Sequence, residues 1–197
     1  MNNTLRDLMI RLEEFGAEND RTTEDRSRRM HNIKRETGEF FSVLIRAMGA
    51  RKILEIGTSN GYSTLWLAEA AAATEGSVTT VESSDFKVKL AKENFDKSGV
   101  AQFVRLERDD AAKVLRRAED NSIDLLFLDT ERASYVSWWP DVRRVIRPGG
   151  VLVVDNATSH VDEMAPLVSL VRSDTDFTSC VIPVGNGEFF AVKNSQR

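Results

Sequence analysis

The chain has 197 residues, of which 41% are hydrophobic and 29% charged, and its net charge is −4. This composition excludes a disordered chain, and it excludes nucleic-acid or membrane binding by bulk positive charge. A single cysteine excludes an internal disulfide framework, and no apolar stretch reaches the roughly 20 residues that span a bilayer. With about 150 residues per typical domain, we expect a soluble, cytoplasmic protein of one domain with a short appendage.

Residues 1–35 form the predicted appendage, and residues 36–197 form the main domain. Apolar residues at helical spacing predict a short amphipathic helix near the start, namely Leu5, Leu8, Met9, Leu12 and Phe15. Charges of both signs crowd residues 13–36, which is typical of a solvated linker and helix face. A lid or a partner-binding arm is the alternative.

In the main domain, short apolar strands alternate with helical patterns, which predicts a parallel, doubly wound α/β sheet. The predicted strands are 52–57, 77–81, 103–106, 123–128 and 151–154. An apolar stripe from Phe40 to Met48 predicts a helix that ends near Gly49. The other predicted helices are 62–73, 85–96, 111–118, one from about Pro140 to 146, and 161–172. Residues 147–150 predict a sharp turn. Strands at 177–182 and 189–192, separated by Asn186-Gly187, predict an antiparallel pair at the end of the sheet.

A glycine-containing turn joins the first predicted strand to the helix at 62–73. It reads Glu55-Ile56-Gly57-Thr58-Ser59-Asn60-Gly61-Tyr62-Ser63. Small residues let a ligand approach the backbone, and the helix N-terminus offers free N–H groups. Because Ser59 stands where a dinucleotide-binding loop has its second glycine, the turn does not predict a dinucleotide site.

Carboxylates follow the second and third predicted strands. Glu82 lies where a side chain can accept hydrogen bonds from both hydroxyls of a ribose, and Asp110 where one can accept from an adenine amine. Together with the glycine turn, these acids predict a nucleotide-type pocket. Helix N-capping is the alternative for both residues.

A second group of polar residues follows the fourth and fifth strands. Asp129 ends the fourth, and Asp155 and Asn156 end the fifth. Neighbouring parallel strands bring their C-terminal ends to one edge, so this acid cluster is expected beside the pocket. Two carboxylates and an amide oxygen suit a hard cation such as Mg²⁺ or Ca²⁺. The alternative is that Asp155 and Asn156 turn the chain while Asp129 caps a helix.

The chain resembles the S-adenosylmethionine-dependent, metal-dependent O-methyltransferases of the catechol and caffeoyl-CoA type. The motifs are Leu54-Glu55-Ile56-Gly57-Thr58 with Gly61-Tyr62-Ser63, Phe127-Leu128-Asp129 with Tyr135, Arg147-Pro148-Gly149-Gly150, and Val154-Asp155-Asn156. The resemblance runs from about residue 30 to residue 193. It implies a class I methyltransferase, Rossmann-like fold with seven strands in the order 3-2-1-4-5-7-6, strand 7 being antiparallel.

The resemblance also implies roles for individual residues. S-adenosylmethionine would contact Glu55, Gly57 and Ser63 with its methionine end, Glu82 with its ribose, and Asp110 with its adenine. Further implied cofactor contacts are Thr58, Ser59, Gly61, Ser83 and Ala111. Asp129, Asp155 and Asn156 would hold a divalent metal, and Asp129 would also border the cofactor. A small-molecule acceptor is the implied partner and, since the family is often dimeric, a homodimer is the implied assembly.

Three positions bear on the chemistry. Arg132 stands where the family usually has a lysine that helps to deprotonate the acceptor hydroxyl. A guanidinium stays protonated, so it can clamp an anion or stabilise an oxyanion but cannot act as a base. His160 is a spare base candidate, with an exposed loop histidine as the alternative. The acceptor-binding glutamate of the catechol enzymes has no clear match in residues 178–184.

Two further features are the tryptophan pair and the cysteine. Trp138 and Trp139 point about 100° apart on a helix, so one is expected in the core and the other at the surface or an interface. Covering an aromatic acceptor is the alternative for this pair. Cys180 lies in an apolar strand and is expected to be buried.

From these observations we expect an O-methyltransferase that acts on a hydroxyl of a small aromatic molecule with help from a divalent metal. Asp129, Arg132 and His160 are the candidate catalytic residues. One alternative is a metal-independent methyltransferase with another acceptor atom. The other is a protein that binds the cofactor without turnover.

Overall fold

The computed structural model describes residues 1–195, in which seven strands form one sheet. The strands are β1 (Lys52–Ile56), β2 (Ser77–Glu82), β3 (Val104–Arg108), β4 (Ile123–Leu128), β5 (Ile146–Val154), β6 (Phe177–Ile182) and β7 (Glu188–Lys193). Their order is β3-β2-β1-β4-β5-β7-β6, and β7 runs antiparallel to β5 and β6. The remaining pairs are parallel. The predicted sheet, its strand order and its antiparallel strand are confirmed.

Helices cover both faces of the sheet. They are α1 (Asn3–Thr22), α2 (Arg35–Met48), α3 (Tyr62–Ala72), α4 (Asp85–Ser98), α5 (Ala111–Arg117), α6 (Tyr135–Val145) and α7 (Val161–Ser173). The first four helices pack on one face and the last three on the other. Side chains alternate between the faces along each strand, so Ile53 and Phe127 join the first core and Leu54 and Leu128 the second.

The first helix belongs to the core of the main domain. α1 has 20 residues, longer than the short helix predicted. Leu5, Leu8, Met9 and Leu12 are buried in the same cluster as Phe41 and Leu65. Phe15 is 45% exposed, so its predicted place in the apolar stripe is wrong. None of the helices in residues 1–195 has the length and apolar content of a bilayer-spanning segment.

Several element boundaries differ from the prediction by a few residues, and three of the differences change the description of the fold. β3 begins at Val104 because Phe103 completes a short 3-10 turn. α6 begins at Tyr135, so Pro140 lies inside the helix, on its exposed side, and not in its first turn. Residues 147–150 lie within β5 at an irregularity in its pairing with β4, where Gly149 has a φ of +74°. They therefore do not form a turn between separate elements.

The tryptophans and the cysteine have clear environments. Trp139 is buried against Phe177, with ring centroids 5.0 Å apart, while Trp138 is only partly buried beside Tyr135. The prediction of one core tryptophan is confirmed. Cys180 is exposed, so the expectation of burial is wrong. It lies on β6, the edge strand of the sheet, which other elements cover only in part.

Candidate active site

The C-terminal ends of β1, β4 and β5 meet at one edge of the sheet. The N–H of Asp129 donates to the carbonyl of Ile56 at 3.0 Å, and the N–H of Asp155 donates to the carbonyl of Leu128 at 3.2 Å. A cavity of about 530 Å³ opens at this edge, a size common for small-molecule sites. The predicted site residues that line it are Gly57, Thr58, Ser59, Ser63, Glu82, Asp129, Arg132, Asp155, Asn156 and His160. The glycine turn and the acid cluster therefore share one cleft.

Glycine is required at the first position of the turn. Gly57 has a φ of +107°, and a Cβ there would lie 2.0 Å from the carbonyl oxygen of Asp129. The glycine thus allows β1 and the chain leaving β4 to come together below the cavity. Gly61, which precedes α3, has a φ of +88° and packs against Phe95 without lining the cavity.

Glu55 lies below the turn and does not line the cavity. Its carboxyl accepts hydrogen bonds from Ser63 at 2.5 Å, from Thr80 at 2.5 Å and from Thr64. Burial raises the pKa of Glu55 to about 7, although the three hydroxyl donors act in the opposite direction. Through Ser63 and Thr64, this carboxyl orients the first turn of α3.

Glu82 lies on the cavity wall, where its carboxylate accepts three backbone hydrogen bonds. The donors are the N–H groups of Ser59 at 2.9 Å, Ser83 at 3.0 Å and Ser84 at 2.9 Å. This carboxylate thereby connects the glycine turn to the start of α4. Ser83 itself does not line the cavity.

Asp110 and Ala111 also lie outside the cavity wall. The Asp110 carboxylate accepts from the N–H of Lys113 at 3.0 Å and caps α5. Asp110 is therefore the N-cap of α5 in this structure, as the alternative interpretation expected. Its contact with adenine stays a prediction.

The acid cluster consists of Asp129, Asp155 and Asn156. Burial raises the pKa of both carboxyls, and for Asp129 the negative charge of Asp155 adds to this effect. The Asn156 side-chain amide lies 3.5 Å from Asp129 Oδ1, and the backbone N–H of Asn156 donates to Asp155 at 2.6 Å. No group of three acidic, histidine or cysteine side chains within residues 1–195 could hold a metal ion. Two carboxylates and one amide are thus the candidate donor set.

Arg132 and His160 border the acid cluster. Arg132 Nε lies 2.8 Å from Glu163 Oε2 on α7, and the ion pair lowers the pKa of Glu163. His160 caps the start of α7, with its Nδ1 3.0 Å from Ser159 Oγ. It is half-buried in the cavity wall, so the exposed-loop alternative does not describe it.

Glu188 is a further acid that the sequence reasoning missed. It is fully buried at the start of β7, where Oε1 accepts from Thr37 Oγ1 at 2.9 Å. Burial and the nearby Asp155 raise its pKa to about 9. A charged residue at the start of an otherwise apolar strand, just after the Asn186-Gly187 turn, was the available signal. Glu188 thus lies near Asp155 but does not line the cavity.

The N-terminal segment closes one side of the cavity. The Met30 carbonyl accepts from Ser59 Oγ at 2.7 Å, and the Asp20 carboxylate accepts from the N–H groups of Met30 at 2.7 Å and His31 at 3.0 Å. Glu13 on α1 pairs with Arg35 at 2.7 Å and accepts from the hydroxyl of Tyr62. The segment is therefore part of the cavity wall and more than a solvated linker.

Neither Trp138 nor Trp139 lines the cavity, so the structure does not support their covering an acceptor.

Comparisons with known proteins agree with this geometry. The O-methyltransferase family matches residues 10–194. A putative O-methyltransferase of Mycobacterium avium is 30% identical over 80% of this chain and 76% of its own length. The catechol O-methyltransferase of Mycobacterium tuberculosis is 35% identical over 63% of this chain and 56% of its own.

A solved structure shows the same architecture. It is the O-methyltransferase of tomaymycin synthesis from Streptomyces achromogenes, in complex with S-adenosylmethionine. It is 25% identical, covers 99% of this chain and 91% of its own, and superposes with a TM-score of 0.76. With the fold, the cleft and the family match together, the chain belongs to the O-methyltransferase family and is an enzyme of the S-adenosylmethionine-dependent class.

Proposed function

We propose that the protein transfers the methyl group of S-adenosylmethionine to a hydroxyl of a small aromatic molecule, with a divalent cation held by Asp129, Asp155 and Asn156. The observation that carries this proposal is that the glycine turn and the acid cluster line one cavity. A methyl donor on the turn and an acceptor at the acids would thus be neighbours. Holding both reactants side by side is a large part of the catalysis available to such an enzyme.

The turn fits the cofactor. Gly57 lines the cavity, and Ser59, Ser63 and Glu82 add polar atoms to its wall. The structure from Streptomyces achromogenes contains the same cofactor, which supports this assignment. When bound, S-adenosylmethionine supplies a methyl group on a positively charged sulfur, which an oxygen nucleophile can displace.

The acid cluster fits a hard cation. Two neighbouring carboxylates, the half-buried Asp129 and the buried Asp155, repel each other unless a positive charge or a proton intervenes, as the raised pKa of Asp129 indicates. The carboxylate and amide oxygens are ligands that Mg²⁺ or Ca²⁺ prefers. A bound divalent cation would lower the pKa of an acceptor hydroxyl and so favour its ionised, nucleophilic form.

The chain's own residues supply orientation and charge. Arg132 stays protonated, so it can bind an anionic group but cannot take the hydroxyl proton. His31 and His160 both line the cavity, and His160 is the imidazole beside the acid cluster, where it could accept a proton. The N-terminal segment and the floor around Gly57 shield the reacting groups from water.

Methyl transfer to catechol tests the proposal. Purified protein with S-adenosylmethionine and catechol is expected to form a methylated product with Mg²⁺ and much less in EDTA, as followed by mass spectrometry. Asp155→Asn should lower turnover by about a hundredfold, the scale on which metal-site changes act. Asp162→Asn is the matched control, since Asp162 is an exposed acid on α7 outside the cavity wall. Absence of product from any hydroxyl acceptor would contradict the proposal.

A metal-independent methyltransferase is the second candidate function. It is favoured by Arg132, which is paired with Glu163 where the family usually has a lysine. Undiminished turnover in EDTA and in Asp155→Asn would support this candidate over the first.

A further inference from the structure

We propose that the methyl acceptor carries an anionic oxygen group, a carboxylate or a phosphate, and that Arg26 and Arg132 at the mouth of the cavity bind it. This inference rests on the proposed function, because the acceptor is taken to occupy the same cavity beside the acid cluster. It narrows the acceptor from a hydroxyl compound in general to one with a negative charge away from the reacting hydroxyl.

The cavity wall is rich in cationic side chains. Arg26, Lys34, Lys87 and Arg132 all line it. Within residues 1–195, the salt bridges include Arg132 with Glu163 but none with Arg26, Lys34 or Lys87. Large apolar side chains contribute little to the wall, which includes Met30, Ile33 and Tyr62. Such a wall suits a charged ligand better than an unsubstituted ring.

Arg26 and Arg132 line the cavity from different elements. Arg132 follows β4 and contacts Glu163 through Nε at 2.8 Å. Arg26 comes from the N-terminal segment, where it is exposed, and its charge also lowers the pKa of Glu163. Glu131, which precedes Arg132, lines the cavity as well, so this part of the wall carries both signs of charge. Among its cations, Arg26 is the arginine without a salt bridge within residues 1–195.

Arg132 is also close to the acid cluster. Its charge acts to lower the pKa of Asp129 and of Asp155, it lines the same cavity as they do, and its guanidinium pairs with Glu163. An acceptor with its hydroxyl at the acid cluster would direct its far end toward Arg132 and Arg26. A guanidinium binds a carboxylate or a phosphate through two parallel hydrogen bonds, which a neutral group cannot replace. Arg132 would therefore serve to bind the anionic group of the acceptor, a role different from that of a base that takes up the hydroxyl proton.

Binding to the protein saturated with S-adenosylhomocysteine tests the inference, since the cofactor's own carboxylate is then already bound. The probes are a dihydroxybenzoate, its methyl ester and a dihydroxyphenyl phosphate, each titrated with Mg²⁺ by calorimetry. The acid or the phosphate should bind about tenfold or more tightly than the ester, the affinity that one charged hydrogen-bonded pair supplies. The better of the two identifies the anionic group.

Arg26→Gln and Arg132→Gln should each bring the anion-to-ester affinity ratio close to one. Arg28→Gln is the matched control, because Arg28 lies in the same short turn but stacks over Phe86 and does not line the cavity. It should keep the ratio of the unchanged protein.

Equal affinity for the ester and both anions would overturn the inference, as would a ratio that survives Arg26→Gln and Arg132→Gln. Efficient methylation of catechol and of the ester, with no preference for the anions, would overturn it while leaving the proposed function intact. Failure of the protein to bind S-adenosylhomocysteine would overturn the proposed function, and this inference with it.

Discussion

Three glutamates around the cavity differ in how their carboxyl groups are partnered. Glu82 accepts hydrogen bonds from three backbone N–H groups at the cavity wall. Glu55 accepts hydrogen bonds from three hydroxyl groups below the cavity wall. Glu188 accepts one hydroxyl hydrogen bond and has Asp155 as an acidic neighbour. Burial raises the pKa of Glu55 and of Glu188, so an ionised carboxylate is costly at both positions.

The titration of Glu55 gives a prediction about stability. Its pKa is about 7 in the folded state, against the ordinary value of 4.5 for a glutamate, so the folded state binds this proton more tightly than the unfolded state. The resulting stability is complete below pH 4.5 and is lost as pH rises through about 7. The loss is about 3 kcal/mol at 1.4 kcal/mol per pKa unit.

Glu55→Gln removes this titration. As pH rises from 4.5 through 7, the free energy of unfolding of the variant should therefore increase relative to that of the unchanged protein. Urea denaturation at a series of pH values measures it. Glu14→Gln, an exposed acid on α1, serves as the control and should show no such trend. A pH-independent difference for Glu55→Gln would show that this carboxyl is ionised throughout.

At the scale of elements, the turn between β1 and α3 positions the site. It lies where the carboxyl ends of β1 and β4 approach each other, and only glycine fits at position 57. The left-handed conformation of Ser59 directs its N–H toward Glu82. The turn thus depends on both neighbouring strands for its shape.

Gly57→Ala should destabilise the protein and weaken binding of S-adenosylhomocysteine by more than about tenfold, since the new methyl group collides with the Asp129 backbone. Gly49→Ala is the control, because Gly49 also has a positive φ, +63°, but nothing within 4 Å of a Cβ. The control should cost about 1–2 kcal/mol of stability and leave cofactor affinity unchanged. Calorimetry and thermal unfolding of both variants make the comparison. Equal behaviour would argue against a special role for the turn.

The strand ends could be predicted from the sequence because periodicity and glycine positions are local signals. Asp129, Asp155 and Asn156 were found in this way, and they do share an edge of the sheet. Glu188 was missed because its burial depends on Thr37, which lies 151 positions away in the chain. The role of residues 20–34 as a cavity wall was missed for a similar reason, since charge density alone does not distinguish a solvated face from one that packs on a site.

At the scale of the whole molecule, α1 and the sheet share one core. Leu5, Leu8, Met9 and Leu12 are each at most 6% exposed, and α1 packs directly against α3 and α4 within the core cluster that it shares with α2. The N-terminal segment is held over the cavity by this packing and by the contact of Ser59 with Met30. Stability of the helix and access to the site are therefore linked.

Leu8→Ala should lower the free energy of unfolding by roughly 2–5 kcal/mol, as expected for a large-to-small change in a core. Ile10→Ala, at a residue of α1 that is 39% exposed, should cost much less. Both variants should unfold in one transition, as seen by circular dichroism and tryptophan fluorescence together. A separate early transition in Leu8→Ala would show that α1 folds as an independent unit.

The proposed function requires that methyl donor, metal and acceptor occupy one cleft. A crystal grown with S-adenosylhomocysteine, Mg²⁺ and a dihydroxybenzoate tests this arrangement. We expect a cation bound by Asp129, Asp155 and Asn156, the cofactor against the glycine turn, and an acceptor hydroxyl between them. Cofactor bound elsewhere, or an acid cluster without a cation while the cofactor is in place, would contradict it.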